Sequence, residues 1–166
     1  MVALDIALLV IDQRLKATGG PGILQFEFVG SRSNAAQILG EWGDHGRDLA
    51  TLSLWLDFAF MASYGAFFAL SGFATRDFAR ARGLRNLSGA GAVAPYLAIA
   101  AALFDMAENI ALLLVLGGHG GSAAPALATA SASVKFLLIA LAIAYVIWGL
   151  AARILLRRAA PARLGR

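Results

Sequence analysis

The chain has no cysteine, which excludes disulfides, thiolate metal sites and cysteine nucleophiles. Charge is scarce too. Asp, Glu, Lys and Arg supply 14% of the 166 residues while apolar types supply 60%, against about 25% and about 45–50% in soluble domains. Mean hydropathy is +0.73. Such a composition excludes a disordered chain, a basic nucleic-acid-binding module and an ordinary soluble enzyme. The start carries Asp5 and neither a basic n-region nor a small-x-small cleavage site, so it does not read as a removable signal peptide. Two glycine clusters, Gly19-Gly20-Pro21-Gly22 and Gly117-Gly118-His119-Gly120-Gly121, lack a following Gly-Lys-Ser/Thr. Neither is a phosphate loop; both are breaks between helices.

What the sequence does have is long apolar runs. Residues 49–74, 93–116 and 126–150 each exceed the roughly 20 residues that cross a hydrocarbon core of about 30 Å. They hold only four of the 24 charged side chains, Asp57, Asp105, Glu108 and Lys135. In lipid each run must be a helix, because only a helix satisfies its own backbone. Residues 2–16 are apolar apart from Asp5 up to Ile11, and a helix of that length reaches only about 22 Å. It either spans by thinning the bilayer, with Arg14 and Lys16 snorkelling, or lies in the interface. The expected fold is an all-α, polytopic transmembrane bundle of four spans forming one membrane domain over 1–166.

Arginine sets the expected orientation. The 75–92 loop carries Arg76, Arg80, Arg82 and Arg85 against Asp77; the 151–166 tail carries Arg153, Arg157, Arg158, Arg163 and Arg166 without an acid. The positive-inside rule makes both cytoplasmic and leaves the 17–48 segment and the 117–125 loop outside. Trp42, Trp55 and Trp148 fall near the expected interfaces. The tail residues Arg153, Arg157 and Arg158 are candidate contacts for anionic lipid headgroups, each basic residue near such a surface contributing about 1 kcal/mol.

Within the outer segment a short helix is expected around 34–39. Glu41, Asp44, His45 and Asp48 follow it at i, i+3, i+4, i+7, one helical face of weak candidate metal ligands. Gly40, Gly43 and Gly46 interrupt that helix, so the plainer expectation is a solvated loop in which Asp44 or Asp48 caps the next span, with no metal.

The four intramembrane charges carry the functional question. Each costs about 2.5–3.5 kcal/mol to insert alone. Asp57, Asp105, Glu108, Asn109 and Lys135 all lie from the midplane to about 7 Å outward by helical rise. Asp105, Glu108, Asn109 and Leu112 share one stripe; Asp57, Met61, Tyr64, Phe68 and Ser71 form a second; Ser131 and Lys135 begin a third. The stripes are expected to converge on one polar layer, with Lys135 on the acids of the third span. Three carboxylates and one ammonium cannot all be charged in hydrocarbon without a further cation, so one acid holds a proton. Such a layer is either structural glue, at roughly 0.6 kcal/mol per interhelical bond, or a ligand- or ion-binding site. Small residues at Ala98/Ala102, Ala107/Ala111 and Ala140/Ala144 allow close packing. Both histidines lie outside the spans, which excludes bis-histidine haem in the membrane. Three or four spans do not build a seven-helix retinal pocket around Lys135, and no serine has a histidine–acid pair.

The strings Gly22-Ile-Leu-Gln-Phe-Glu-Phe-Val-Gly-Ser31, Glu41-Trp42-Gly43, Leu56-Asp57-Phe58, Phe104-Asp105-x-x-Glu108-Asn109 and Lys135-Phe136 resemble a family of small bacterial four-helix integral membrane proteins without an assigned function. The resemblance implies four spans and carries over no catalytic role. The sequence thus leads to a non-catalytic protein of the bacterial inner membrane, an accessory subunit meeting other membrane chains, with lipid as its other partner. The alternative is a small ion-coupled transporter or ligand-binding membrane protein working through the Asp/Glu/Lys layer. A membrane enzyme acting on lipid ranks third. No cofactor is specified.

Overall fold

The structure, a computed structural model, describes residues 2–159; Arg163 and Arg166 of the tail lie outside them. Among the described residues there are helices and turns and no strand. The order is α1 (Val2–Lys16), α2 (Ile23–Glu27), α3 (Arg32–Ala81), α4 (Arg85–Ala90), α5 (Ala94–Leu116) and α6 (Ala123–Ala159). Three stretches, Arg32–Ala81, Arg85–Leu116 and Ala123–Arg158, are long and apolar enough to cross a membrane. α3, α5 and α6 pack on one another as a bundle, α1 lies along α3, and the single turn of α2 touches all three bundle helices.

Several expected boundaries move. α3 starts where the Ser31 hydroxyl accepts a hydrogen bond from the Asn34 amide at 3.2 Å, a side-chain N-cap. It absorbs both the short helix expected at 34–39 and the span expected at 49–74. Neither Asp44 nor Asp48 forms a side-chain capping hydrogen bond among the described residues. Instead the helix breaks at Gly43, with φ 59° and ψ −166°, a backbone state that glycine alone adopts without strain. Arms 32–42 and 44–81 follow from that one residue. α6 continues nine residues past Leu150, because nothing from Leu150 to Ala159 is a glycine or proline and the alanines, leucines and arginines there are strong helix formers.

Packing of the bundle relies on small side chains. Ala98 of α5 meets Ala69 of α3 and Ala142 of α6 in one buried cluster, and Ala102 of α5 lies where a Cβ on Gly65 would come within 3.1 Å. Ala140 and Ala144, expected at an interface, are exposed. The buried face of α6 is Ala128, Ala132, Lys135, Ala142, Tyr145 and Gly149, and Ala140 lies about 140° around the helix from Lys135. At Gly149 the backbone of α6 presses on Thr75, where any Cβ would overlap the threonine side chain.

Trp42 also departs from expectation. It is 2% exposed, whereas Trp55 and Trp148 are 61% and 46% exposed. Its indole donates to the Pro21 carbonyl at 2.8 Å and its ring meets the Phe26 edge with centroids 4.8 Å apart. This tryptophan is therefore a core anchor for the 19–29 segment and not an interfacial ring. Asp12 fixes the same segment from α1. Its carboxylate accepts the Ile23 amide at 2.7 Å, capping α2 from a distance, and pairs with Lys16 at 2.6 Å.

At the opposite end Arg153 donates to the Ala74 carbonyl at 2.9 Å and lies over the Phe78 ring at 4.7 Å. It clamps α6 to α3, while Arg157 and Arg158 are exposed.

Candidate buried acid–lysine site

Lys135 sits on the inner face of α6 with its side chain 6% exposed. Its Nζ lies 3.0 Å from Asp105 Oδ1, 2.8 Å from Glu108 Oε2 and 3.4 Å from Glu27 Oε2. The two α5 acids reach it together because i and i+3 share a helical face. Asp105 is satisfied on both oxygens, since Oδ2 accepts the Tyr64 hydroxyl at 2.8 Å. Asn109, one position further along that face, donates to Asp57 Oδ2 at 2.8 Å and to the Leu54 carbonyl at 3.3 Å. It thereby ties α5 to α3. Asp57 makes no ion pair with Lys135 among the described residues.

Glu27 is the member that sequence reasoning did not single out. It belongs to the segment expected outside the bilayer, yet α2 folds back into the bundle and Phe26 beside it is fully buried. Thr129 of α6 holds α2 in place: its hydroxyl accepts the Gly30 amide at 2.9 Å and donates to the Glu27 carbonyl at 3.3 Å. The available signal was an acid set among Ile23, Leu24, Phe26, Phe28 and Val29, an apolar setting no solvated loop needs.

Glu108 is 0% exposed, and neither of its oxygens receives a well-directed hydrogen bond among the described residues. Its contact with the Lys135 ammonium, at 2.8 Å, is an ion pair.

A cavity of about 380 Å³ opens onto this cluster. Its lining includes Asp5, Glu27, Asp57, Asp105 and Lys135 together with Phe60, Tyr64, Phe68, Phe136 and Ile139. Asp5, the polar exception in the apolar start of α1, points its residue position at this space. Phe136 lies with its ring 4.8 Å from Lys135 Nζ and stacks on Phe28 at 5.8 Å. Volumes of this size fall in the range of small-molecule sites.

The remaining candidates do not assemble. Glu41, Asp44, His45 and Asp48 are exposed, and the break at Gly43 separates Glu41 from the other three, so the single helical face is lost. Glu41 instead accepts from Gln37 at 2.9 Å. No group of three or more ligand-type side chains is placed to hold a metal among the described residues. Arg157 and Arg158 stand exposed at one end of α6, with Arg153 partly committed to α3.

No family model matches this chain, and comparison with curated proteins and with solved structures likewise finds no match.

Proposed function

We propose that the chain is a four-span integral membrane protein that binds a cation at the buried acid–lysine cluster and exchanges it with a proton, as a small ion-coupled transporter or ligand-binding protein. One observation carries this reading: the 380 Å³ cavity reaches Asp105 and Lys135 from the surface. A purely structural layer has no use for a void beside its charges, where lost contacts and desolvation both weaken it. The charge count agrees. Asp5, Glu27, Asp57, Asp105 and Glu108 face a single ammonium, so either protons or an added cation must balance them. The apolar exterior suits lipid as well as partner chains and therefore does not favour an accessory subunit.

The test is infrared spectroscopy of the protein reconstituted in lipid nanodiscs. A protonated-carboxyl band is expected at neutral pH and is expected to lose intensity when sodium or alkaline buffer is added. Lys135→Met with Glu108→Gln should fold and lose that response. A band that is absent in the wild type, or indifferent to both treatments, would overturn the reading.

The proposed setting is the bacterial inner membrane with the C-terminus in the cytoplasm, and with anionic headgroups at Arg157 and Arg158. Here α1 counts as the fourth span, and the arginines of 76–85 and 153–158 lie on one side. On intact cells an impermeant thiol reagent should label Ser122→Cys and spare Ser88→Cys. The reverse pattern would invert the topology.

A further inference from the structure

The cavity walls differ in what they have left to offer. Glu27, Asp105 and Glu108 are all within 3.4 Å of the same ammonium. Asp57 receives one hydrogen bond, on Oδ2 from Asn109, and Asp5 forms no ion pair among the described residues. These two acids come from α3 and α1 and line the same space. The fully buried Glu108 pairs with Lys135 at 2.8 Å, so the one ammonium is already shared among three acids. The other walls are the rings of Phe60, Tyr64, Phe68 and Phe136, with Ile139 beside them.

A bare divalent metal ion needs several converging oxygens at coordination distance, and no such group is formed among the described residues. A proton needs no cavity. An apolar neutral ligand would cover the two partly exposed acids without compensating them. Aromatic faces and unpaired carboxylates together match a cation whose charge sits on an apolar body, because ring faces attract such cations and desolvating them costs little. We infer that the cavity takes a lipophilic organic cation, an ammonium or phosphonium carrying apolar substituents. Its charged centre lies between Asp57 and Asp5, and its body lies against Phe60, Phe68 and Phe136. The inference rests on the proposed cation-binding function and names its substrate class.

The probe is tetraphenylphosphonium, with tetraphenylborate as the anion of the same shape. Equilibrium dialysis against protein-loaded nanodiscs, less the uptake of empty ones, should give saturable binding of one phosphonium per chain and none of the borate. Asp57→Asn should weaken it at least about tenfold, which is about 1.4 kcal/mol. Asp5→Asn, at a partly exposed position on α1, should weaken it several-fold and serves if the Asp57 variant does not fold. Equal uptake by wild type and both variants, or equal uptake of phosphonium and borate, would overturn the inference. If the carboxyl band still responds to sodium and pH while phosphonium does not bind, the substrate class fails and the cation-binding function stands. If neither responds, both fail.

Discussion

Lys135→Met should lower the stability of the bundle by about 3–5 kcal/mol, the usual loss when one partner of a buried ion pair is removed. The magnitude follows from what is stranded. Asp105 and Glu108 keep their places on α5, and Glu27 keeps its place on α2, with no ammonium within reach of any of them. Holding these acids buried without a counter-charge is costly. The methionine fills much of the same volume, so the loss is electrostatic and not a cavity effect. Adding Glu108→Gln should recover part of it, since one uncompensated acid disappears. Lys135→Arg should recover less than the retained charge suggests, because a planar fork does not match three acids arranged around a compact ammonium. Unfolding of the purified protein in mixed micelles, followed by circular dichroism, reads all three. A Lys135→Met protein as stable as the wild type would mean that the pairing contributes nothing.

Trp42→Ala should be about as damaging, at about 3–5 kcal/mol for a truncated, fully packed tryptophan. Trp42→Phe should lose only about 1 kcal/mol, chiefly the indole hydrogen bond to Pro21. The two variants should separate more sharply at the site than in stability. Trp42 braces Phe26, and Phe26 precedes the Glu27 that approaches Lys135. With alanine at 42 the support under α2 is lost and Glu27 moves away; with phenylalanine it stays. The carboxyl band described above should therefore change in Trp42→Ala and persist in Trp42→Phe. An unchanged band in both would uncouple this anchor from the acid cluster.

These two residues also mark the border of what the sequence discloses. Asp105, Glu108 and Asn109 were readable because their spacing repeats the helical turn and their insertion cost demands partners. Lys135 was readable through depth, since an apolar run of known length places every residue relative to its centre. Trp42 was not, because an aromatic near a helix end looks the same whether it meets headgroups or a folded-back loop. Glu27 and Asp5 stayed hidden for a related reason. Their positions depend on contacts between distant segments, Thr129 with the 27–30 backbone and Asp12 with Ile23, and no local period encodes such contacts. The break at Gly43 is a backbone conformation, so a glycine in the sequence signals only that it is allowed there. α6 is longer than the 126–150 span read from hydropathy, because hydropathy marks an apolar run, whereas a helix of alanine, leucine and arginine can continue past it.

On the proposed membrane setting, the turn between α5 and α6, residues 117–122, bears on how the chain would enter the bilayer. It is short and glycine-rich, and the two helices it joins make extensive contact. During synthesis Lys135 would otherwise arrive in hydrocarbon alone, as would Asp105 and Glu108 before it. A tight hairpin brings the ammonium to the acids as soon as α6 forms, so the three groups cross the insertion barrier as one partly neutralised unit. Order of synthesis then matters. Glu27 and Asp57 are made first and would remain without their cationic neighbour until the final helix supplies Lys135. Truncating the chain ahead of α6 should leave the earlier helices poorly inserted, even though their hydropathy alone would carry them in.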